Sequence, residues 1–180
     1  ALTTLAHQHG TRVLCDNTFL SPLWQQPLEL GADLVLHSTT KYLNGHSDVV
    51  GGAIIAKDRA VHEELSWWNN CLGLCGAPFD SFLTLRGLRT LSARLRVHAE
   101  NAFELAHAIA QHSAVTRVYF PGLASDPGHV LAQNQQRSFG AMLSFELAGG
   151  EAQVRALLGG LRCYSLAESL GGVESLIAHP

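Results

Sequence analysis

Lys41 stands in the run Leu36-His37-Ser38-Thr39-Thr40-Lys41-Tyr42-Leu43-Asn44-Gly45-His46 and is one of only two lysines in the chain, the other being Lys57. An unprotonated lysine amine captures a carbonyl carbon, and a dry pocket near other positive charge brings its pKa toward neutrality. Ser38 and Thr40 flank Thr39 and, in an alternating extended chain, their hydroxyls face one side and can share an anion. Asp16 closes an earlier apolar run, Arg12 to Cys15. A buried carboxylate there would keep a ring nitrogen protonated, each unit of ring pKa gained being worth about 1.4 kcal/mol. Amine, anion site and carboxylate together describe a site for pyridoxal phosphate, with the freed lysine acting as general base at the substrate's α carbon. Two hydroxyls alone do not neutralise a phosphate, so backbone amides and a cation from elsewhere are also expected.

Taken singly, each residue has a plainer reading: a solvated loop lysine, a capping aspartate, a serine-threonine turn. Their placement is what raises the expectation. Leu34 to Leu36 reads as a short buried strand that delivers Ser38, Thr40 and Lys41 past its carboxyl end, and Arg12 to Cys15 delivers Asp16 in the same way. In open α/β sheets, ligands bind outside the carboxyl ends of the strands.

The remaining elements follow from periodicity and punctuation. Ala1 to His9 reads as a helix stopped by Gly10, Asp16 to Gln26 as a loop, and Pro27 to Leu30 as a helical turn before Gly31. Val49 to Ala56 is a third apolar run. Lys57 to Cys71 is helical from Asp58, Pro78 starts a helix to Leu91, and Ser92 to Ala110 continues as a long helix, a plausible domain connector. Val115 to Phe120 and Ala141 to Leu147 read as strands around a Pro121 to Gly128 loop and a short Val130 to Gln136 helix. Glu151 to Leu158 is helical, and Cys163 to Ile177 is mixed, broken at Gly171-Gly172. Strands alternating with helices favour an α/β fold with a parallel sheet, followed by a smaller α/β unit.

At 180 residues and 47% hydrophobic, the chain can bury a substantial core. Twelve Lys plus Arg against fifteen Asp plus Glu give a net charge of −3 with no basic tract, so no nucleic-acid partner is expected. No run of about eighteen apolar residues and no signal-peptide pattern is visible, so no membrane partner is expected either. Cys15, Cys71, Cys75 and Cys163 lack the spacing of a secreted disulfide scaffold, and reduced thiols in a cytoplasmic protein are expected. Cys71 and Cys75 read as half-buried thiols near a helix end. No metal is expected: His7 and His9 lack metal-ligand spacing for a helix, no His-Glu-x-x-His occurs, and His37 reads as a packed or hydrogen-bonded core histidine.

Five separated segments in one order carry a resemblance that spans the chain: Asp16-Asn17-Thr18-Phe19; Leu36-His37-Ser38 to Asp48-Val49-Val50; Phe79-Asp80-Ser81; Arg86-Gly87-Leu88-Arg89-Thr90-Leu91; and Ala167-Glu168-Ser169-Leu170-Gly171-Gly172-Val173-Glu174-Ser175-Leu176. The chain resembles the Cys/Met-metabolism family of pyridoxal-phosphate enzymes, and within it most closely the bacterial cystathionine gamma-synthases. The resemblance implies the aspartate-aminotransferase-like fold, fold type I. Residues 1–99 would be the carboxyl-terminal part of the large parallel-sheet, cofactor-binding domain, and 100–180 the first part of the small C-terminal domain. It implies Lys41 as the Schiff-base lysine, Asp16 as the ring-nitrogen partner, Ser38 and Thr40 as phosphate ligands and Thr18 packed beneath the ring. Glu168 and Ser169 would line the substrate pocket, Ser169 positioning the lysine or the substrate and Glu168 influencing specificity. Arg86 and Arg89 have no assigned role beyond a structural salt bridge or interface contact.

The activity implied is γ-replacement on O-succinyl-L-homoserine by L-cysteine. A cystathionine gamma-lyase is the alternative, with methionine gamma-lyase and O-acetylhomoserine sulfhydrylase ranked lower, and an inactive fragment or assembly module stands as the non-enzyme alternative. The family also implies a homotetramer with active sites shared between subunits, and a chain about twice this length. Groups that would complete the phosphate cradle, stack on the ring and clamp the substrate carboxylate are expected in the flanking regions and in a neighbouring subunit.

Overall fold

A computed structural model describes residues 2–179. Ala1, where the first expected helix begins, lies outside the described residues. Helix α1, Leu2–Gln8, is followed by β1, Leu14–Asp16, and by β2, Leu34–Ser38, which pairs with β1 in parallel so that Asp16 lies opposite Leu36. Between them the expected loop holds a four-residue helix α2, Ser21–Trp24. Asn17 makes that turn possible: its buried side-chain amide donates to the carbonyls of Ser21 and Gln25, both at 2.9 Å. The segment from Pro27 to Gly31 is a hydrogen-bonded turn and not a helix, since the Ala32 amide returns to the Pro27 carbonyl at 2.9 Å and closes the chain toward β2.

After β2 the backbone winds into one wide turn, Thr39–Leu43, of π type, with the Asn44 amide bonded to the Thr39 carbonyl at 3.0 Å. Strand β3, Gly52–Ala56, then returns antiparallel to β2. The parallel pairing expected thus holds between β1 and β2, and β3 adds an antiparallel edge, since the chain turns back through the Thr39–Leu43 turn and makes no crossover helix.

Helix α3, Arg59–Leu72, opens on Asp58, whose carboxylate accepts from the Val61 amide at 3.1 Å, and stops at Gly73 with φ +68°. Helix α4, Pro78–Leu88, begins on proline, and α5, Leu91–Ala110, is separate from it. The break has a local cause. The Gly87 carbonyl accepts from the Thr90 amide and hydroxyl, both at 3.1 Å, and from the Arg94 guanidinium at 2.9 Å, so the helix closes on a tightened last turn. Gly87 is required there, because a Cβ would lie 2.1 Å from the Asn44 carbonyl oxygen. Glycine at this helix position lets α4 rest on the end of the turn that carries Lys41.

Strands β4, Val115–Tyr119, and β5, Ser144–Leu147, form an antiparallel pair flanking α6, His129–Gln135; helix α7, Glu151–Gly159, and the short parallel pair β6, Ser165–Leu166, and β7, Leu176–Ile177, complete the chain. Two apolar clusters hold these parts. Trp24, Tyr42, Leu43, Leu91 and Leu95 form the first, with Leu170 packed against it; Ala102, Ala106, Phe120 and Leu123 form the second. Helix α5 supplies residues to both, and Ala141 touches both. Phe79, Phe82 and Leu85 of α4 remain more than half exposed.

Candidate active site

The site is built around the carboxyl ends of β1 and β2. In their parallel register Asp16 is paired with Leu36, and Ser38 lies two residues on, so Asp16 and Ser38 share one face of the sheet while Val35 and His37 occupy the buried one. Thr18 ties the two strand ends together. Its hydroxyl donates to Asp16 Oδ1 at 2.6 Å and accepts from the Ser38 amide at 2.8 Å, and its own amide donates to the same carboxylate oxygen at 2.9 Å. The Thr18 hydroxyl and amide hold the Asp16 carboxyl below the usual carboxylate range, aided by the charge of His37 and opposed by partial burial.

Asp16 is therefore ionised, but the expectation that it is buried is corrected: its side chain is exposed. It caps an edge strand of a three-stranded sheet, and no further strand covers that edge among the described residues. The depressed pKa fixes the sign of one pH effect. The stability contributed by the Asp16 bonds is present above the carboxylate's unfolded pKa and is lost as pH falls through its lower folded value. In Thr18→Val the carboxyl carbon of Asp16, followed by NMR, should titrate at higher pH than in the parent protein; an unchanged midpoint would contradict the bonding described.

Lys41 sits inside the π turn with φ −92° and ψ −126°, outside helical geometry, and its half-buried side chain reaches Ser169, with Nζ donating to Oγ at 3.0 Å. The two residues are separated by 128 positions. Around the lysine the backbone is fixed on several sides. Arg94 donates from Nη1 to the Tyr42 carbonyl at 2.9 Å, from Nη2 to Gly87 and from Nε to the Thr90 hydroxyl at 3.1 Å. Gly45, at φ +74°, passes so close to that guanidinium that any Cβ would overlap it. Gly171, at φ +79°, lies against the peptide joining Lys41 to Tyr42, where a Cβ would come within 2.6 Å of the Tyr42 nitrogen. Tyr42 itself is fully buried, and burial pushes its phenol up to about 12.

The hydroxyls expected to share an anion behave differently from one another. Strand β2 ends at Ser38 and Thr39 begins the turn, so the strict alternation that would align Ser38 with Thr40 does not continue. Thr40 Oγ1 accepts from the Gly51 amide at 3.0 Å and lies 3.3 Å from the Gly51 carbonyl, which accepts its proton. Thr40 thus ties the turn to the start of β3. Ser38 keeps its hydroxyl on the Asp16 side.

Glu168, beside Ser169, is exposed and makes no hydrogen bond to Lys41 or Asp16 among the described residues. Arg86 and Arg89 are exposed and form no salt bridge among the described residues, and the arginine that does structural work is Arg94, which sequence reasoning missed. The only local signal for it was its place four residues after Thr90 and seven after Gly87. His37 is 4% exposed and its Nδ1 has no hydrogen-bond partner among the described residues, so the histidine is packed; burial lowers its pKa against the pull of Asp16. Cys71 and Cys75 are exposed and not half-buried, because α3 ends at Leu72 and the following loop lies on the surface. His7 pairs with Asp33 at 2.8 Å.

The geometry now bears comparison with known proteins. The family model described as Cys/Met metabolism PLP-dependent enzyme matches residues 1–180. The chain belongs to this family. A cystathionine gamma-synthase of Escherichia coli (strain K12) is 56% identical over 175 residues, covering 97% of this chain and 45% of that protein. The crystal structure of cystathionine gamma synthase from Xanthomonas oryzae pv. oryzae in complex with aminoacrylate and cysteine is 65% identical with a TM-score of 0.98, covering 99% of this chain and 46% of that one. That of cystathionine gamma-lyase from Lactobacillus plantarum complexed with L-serine is 43% identical, with a TM-score of 0.94 and coverage of 98% and 46%. The chain therefore has fold type I, the aspartate-aminotransferase-like α/β fold. It spans about half the length of the relatives it matches.

Proposed function

We propose that this chain is the lysine-bearing part of a pyridoxal-phosphate-dependent transsulfuration enzyme, a cystathionine gamma-synthase that joins O-succinyl-L-homoserine to L-cysteine. The observation that carries the reading is the contact of Lys41 Nζ with Ser169 Oγ at 3.0 Å, which brings the two most specific motifs together at the strand ends. The donor set fits the cofactor: a primary amine, an ionised carboxylate held by Thr18, and the Ser38 hydroxyl on the same sheet face as that carboxylate. When bound, the cofactor supplies an aldehyde for the amine and an electron-withdrawing ring.

The residues divide the work around it. Lys41 would hold the cofactor through its amine and, when free, would take a proton from the substrate's α carbon and return one farther along the side chain. Asp16 would pair with the ring nitrogen and keep it positive. Ser38 would donate to the phosphate; Thr40 would contribute there only by turning its proton away from the Gly51 carbonyl, so its first role is to hold the turn. Thr18 lies at the ring by way of Asp16, and Glu168 and Ser169 face the substrate. In the net reaction the bond between the γ carbon and the succinyl ester oxygen breaks, succinate leaves with the thiol proton, and cysteine sulfur bonds to the γ carbon.

Greater identity to the two synthases than to the gamma-lyase supports replacement over elimination. A cytoplasmic homotetramer with shared active sites is part of the proposal, and exposed Phe79, Phe82 and Leu85 offer apolar surface for assembly. A division near 99/100 is part of the proposal, supported by the passage of α5 from one apolar cluster to the other. The full-length protein, given O-succinyl-L-homoserine and cysteine and separately cystathionine, should form cystathionine faster than it breaks it down. Faster breakdown would reverse the assignment in favour of a gamma-lyase, and no turnover with no cofactor uptake would leave an assembly module.

A further inference from the structure

Residues 169–174 lie as a strap across the turn that carries Lys41, and three contacts in sequence hold them there. Ser169 Oγ accepts from Lys41 Nζ, Gly171 rests on the Lys41–Tyr42 peptide, and Glu174 Oε2 accepts from Ser47 Oγ at 2.9 Å. The last contact closes over Gly172, where a Cβ would fall 2.4 Å from both the Glu174 and the Ser47 oxygens. Ser47 holds φ +58°, a conformation that L residues other than Asn and Asp rarely take, so the bond to Glu174 is made at a position where the backbone is strained.

We propose that Glu174 and Ser47 form a latch that fixes the strap, and that through it Glu174 is a positioning residue which keeps the Ser169 hydroxyl on Lys41. The latch spans 127 positions of sequence and touches neither Lys41 nor Asp16, so its effect on the amine passes through the strap. Gly171 has no side chain to bond with, and without the Glu174 contact the strap is tied to the turn, among the described residues, by the Ser169 hydroxyl, by the Gly171 backbone against the Lys41–Tyr42 peptide and by packing of Leu170 on the first apolar cluster. This inference rests on Lys41 being the reacting amine.

The test labels lysines of the full-length protein with an amine-reactive reagent in the absence of cofactor, and reads Lys41 against exposed Lys57 by mass spectrometry across a range of pH. Glu174→Ala and Ser47→Ala should each raise the Lys41 to Lys57 labelling ratio by about two- to tenfold, the range that one hydrogen bond of ordinary net worth supplies. Glu174→Gln, which keeps an acceptor for Ser47, should restore most of the parent ratio. In a Ser169→Ala background, Glu174→Ala should add nothing, since its action on the lysine runs through that hydroxyl. Unchanged labelling in both single variants, or effects of Glu174 and Ser169 that simply add, would overturn the latch. A labelling shift in a protein that takes up no pyridoxal phosphate would keep the latch and refute the cofactor reading instead.

Discussion

Replacing Lys41 with alanine should abolish the visible absorbance of bound pyridoxal phosphate in the full-length protein and lower turnover by roughly a thousandfold or more, within the upper range of what a positioned acid–base group contributes. The amine has no substitute nearby: Lys57, the other lysine, is exposed in the bend between β3 and α3, with its amide bonded to the Asp33 carbonyl at 2.9 Å, at the opposite end of β2 from Ser38. Lys41→Arg sharpens the result. A guanidinium keeps the positive charge but stays protonated at any working pH, so it cannot attack an aldehyde, and the band should be absent there as well. A band that survived either substitution would remove Lys41 from the chemistry. Both variants should keep the parent fold by circular dichroism, because the side chain contributes a single hydrogen bond, to Ser169.

The second large effect is on stability. Arg94→Met should cost about 3 kcal/mol in denaturant unfolding, since hydrogen bonds from a charged donor contribute about 1.5–3 kcal/mol each and the variant strips its donor from the Tyr42 carbonyl. The Gly87 carbonyl loses one donor and keeps the Thr90 hydroxyl, so its share is smaller. Methionine fills part of the space against Gly45, which limits the cavity. Arg94→Lys should recover little, as an ammonium cannot serve Tyr42, Gly87 and Thr90 with one planar fork. A loss below about 1 kcal/mol would show that the turn holds itself. Because Tyr42 follows Lys41 directly, cofactor uptake should also slow in the methionine variant, and this separates Arg94 from Arg86 and Arg89, whose side chains make no hydrogen bond or salt bridge among the described residues.

Local signals were enough for the parts of the site that are contiguous. An apolar run ending in Asp16 and another ending before Ser38 are strands because β-branched and leucine-rich segments bounded by turn residues have few other options, and that alone placed an acid and an amine at neighbouring strand ends. Two inferences from local pattern failed for physical reasons. The alternation of Ser38 and Thr40 assumed that extended backbone continued, whereas Thr39 begins a turn in which side chains no longer alternate. The burial of Asp16 assumed coverage that this stretch of chain does not itself provide.

The sequence by itself determined the chemistry available: one amine, one carboxylate and a set of hydroxyls, delivered to one edge of a sheet by strands whose pattern depends on near neighbours only. The tertiary structure decided which of these groups meet and how each is held. Ser169 on Lys41, Glu174 on Ser47, Arg94 on Tyr42 and Gly87 beneath Asn44 join residues from 43 to 128 positions apart. Such pairs leave no periodic trace, because their contact is set by how helices and strap pack on the turn. The same packing explains the glycines at 45, 87 and 171: each stands where a neighbour approaches too closely for a side chain, a distance that exists only after the chain has folded.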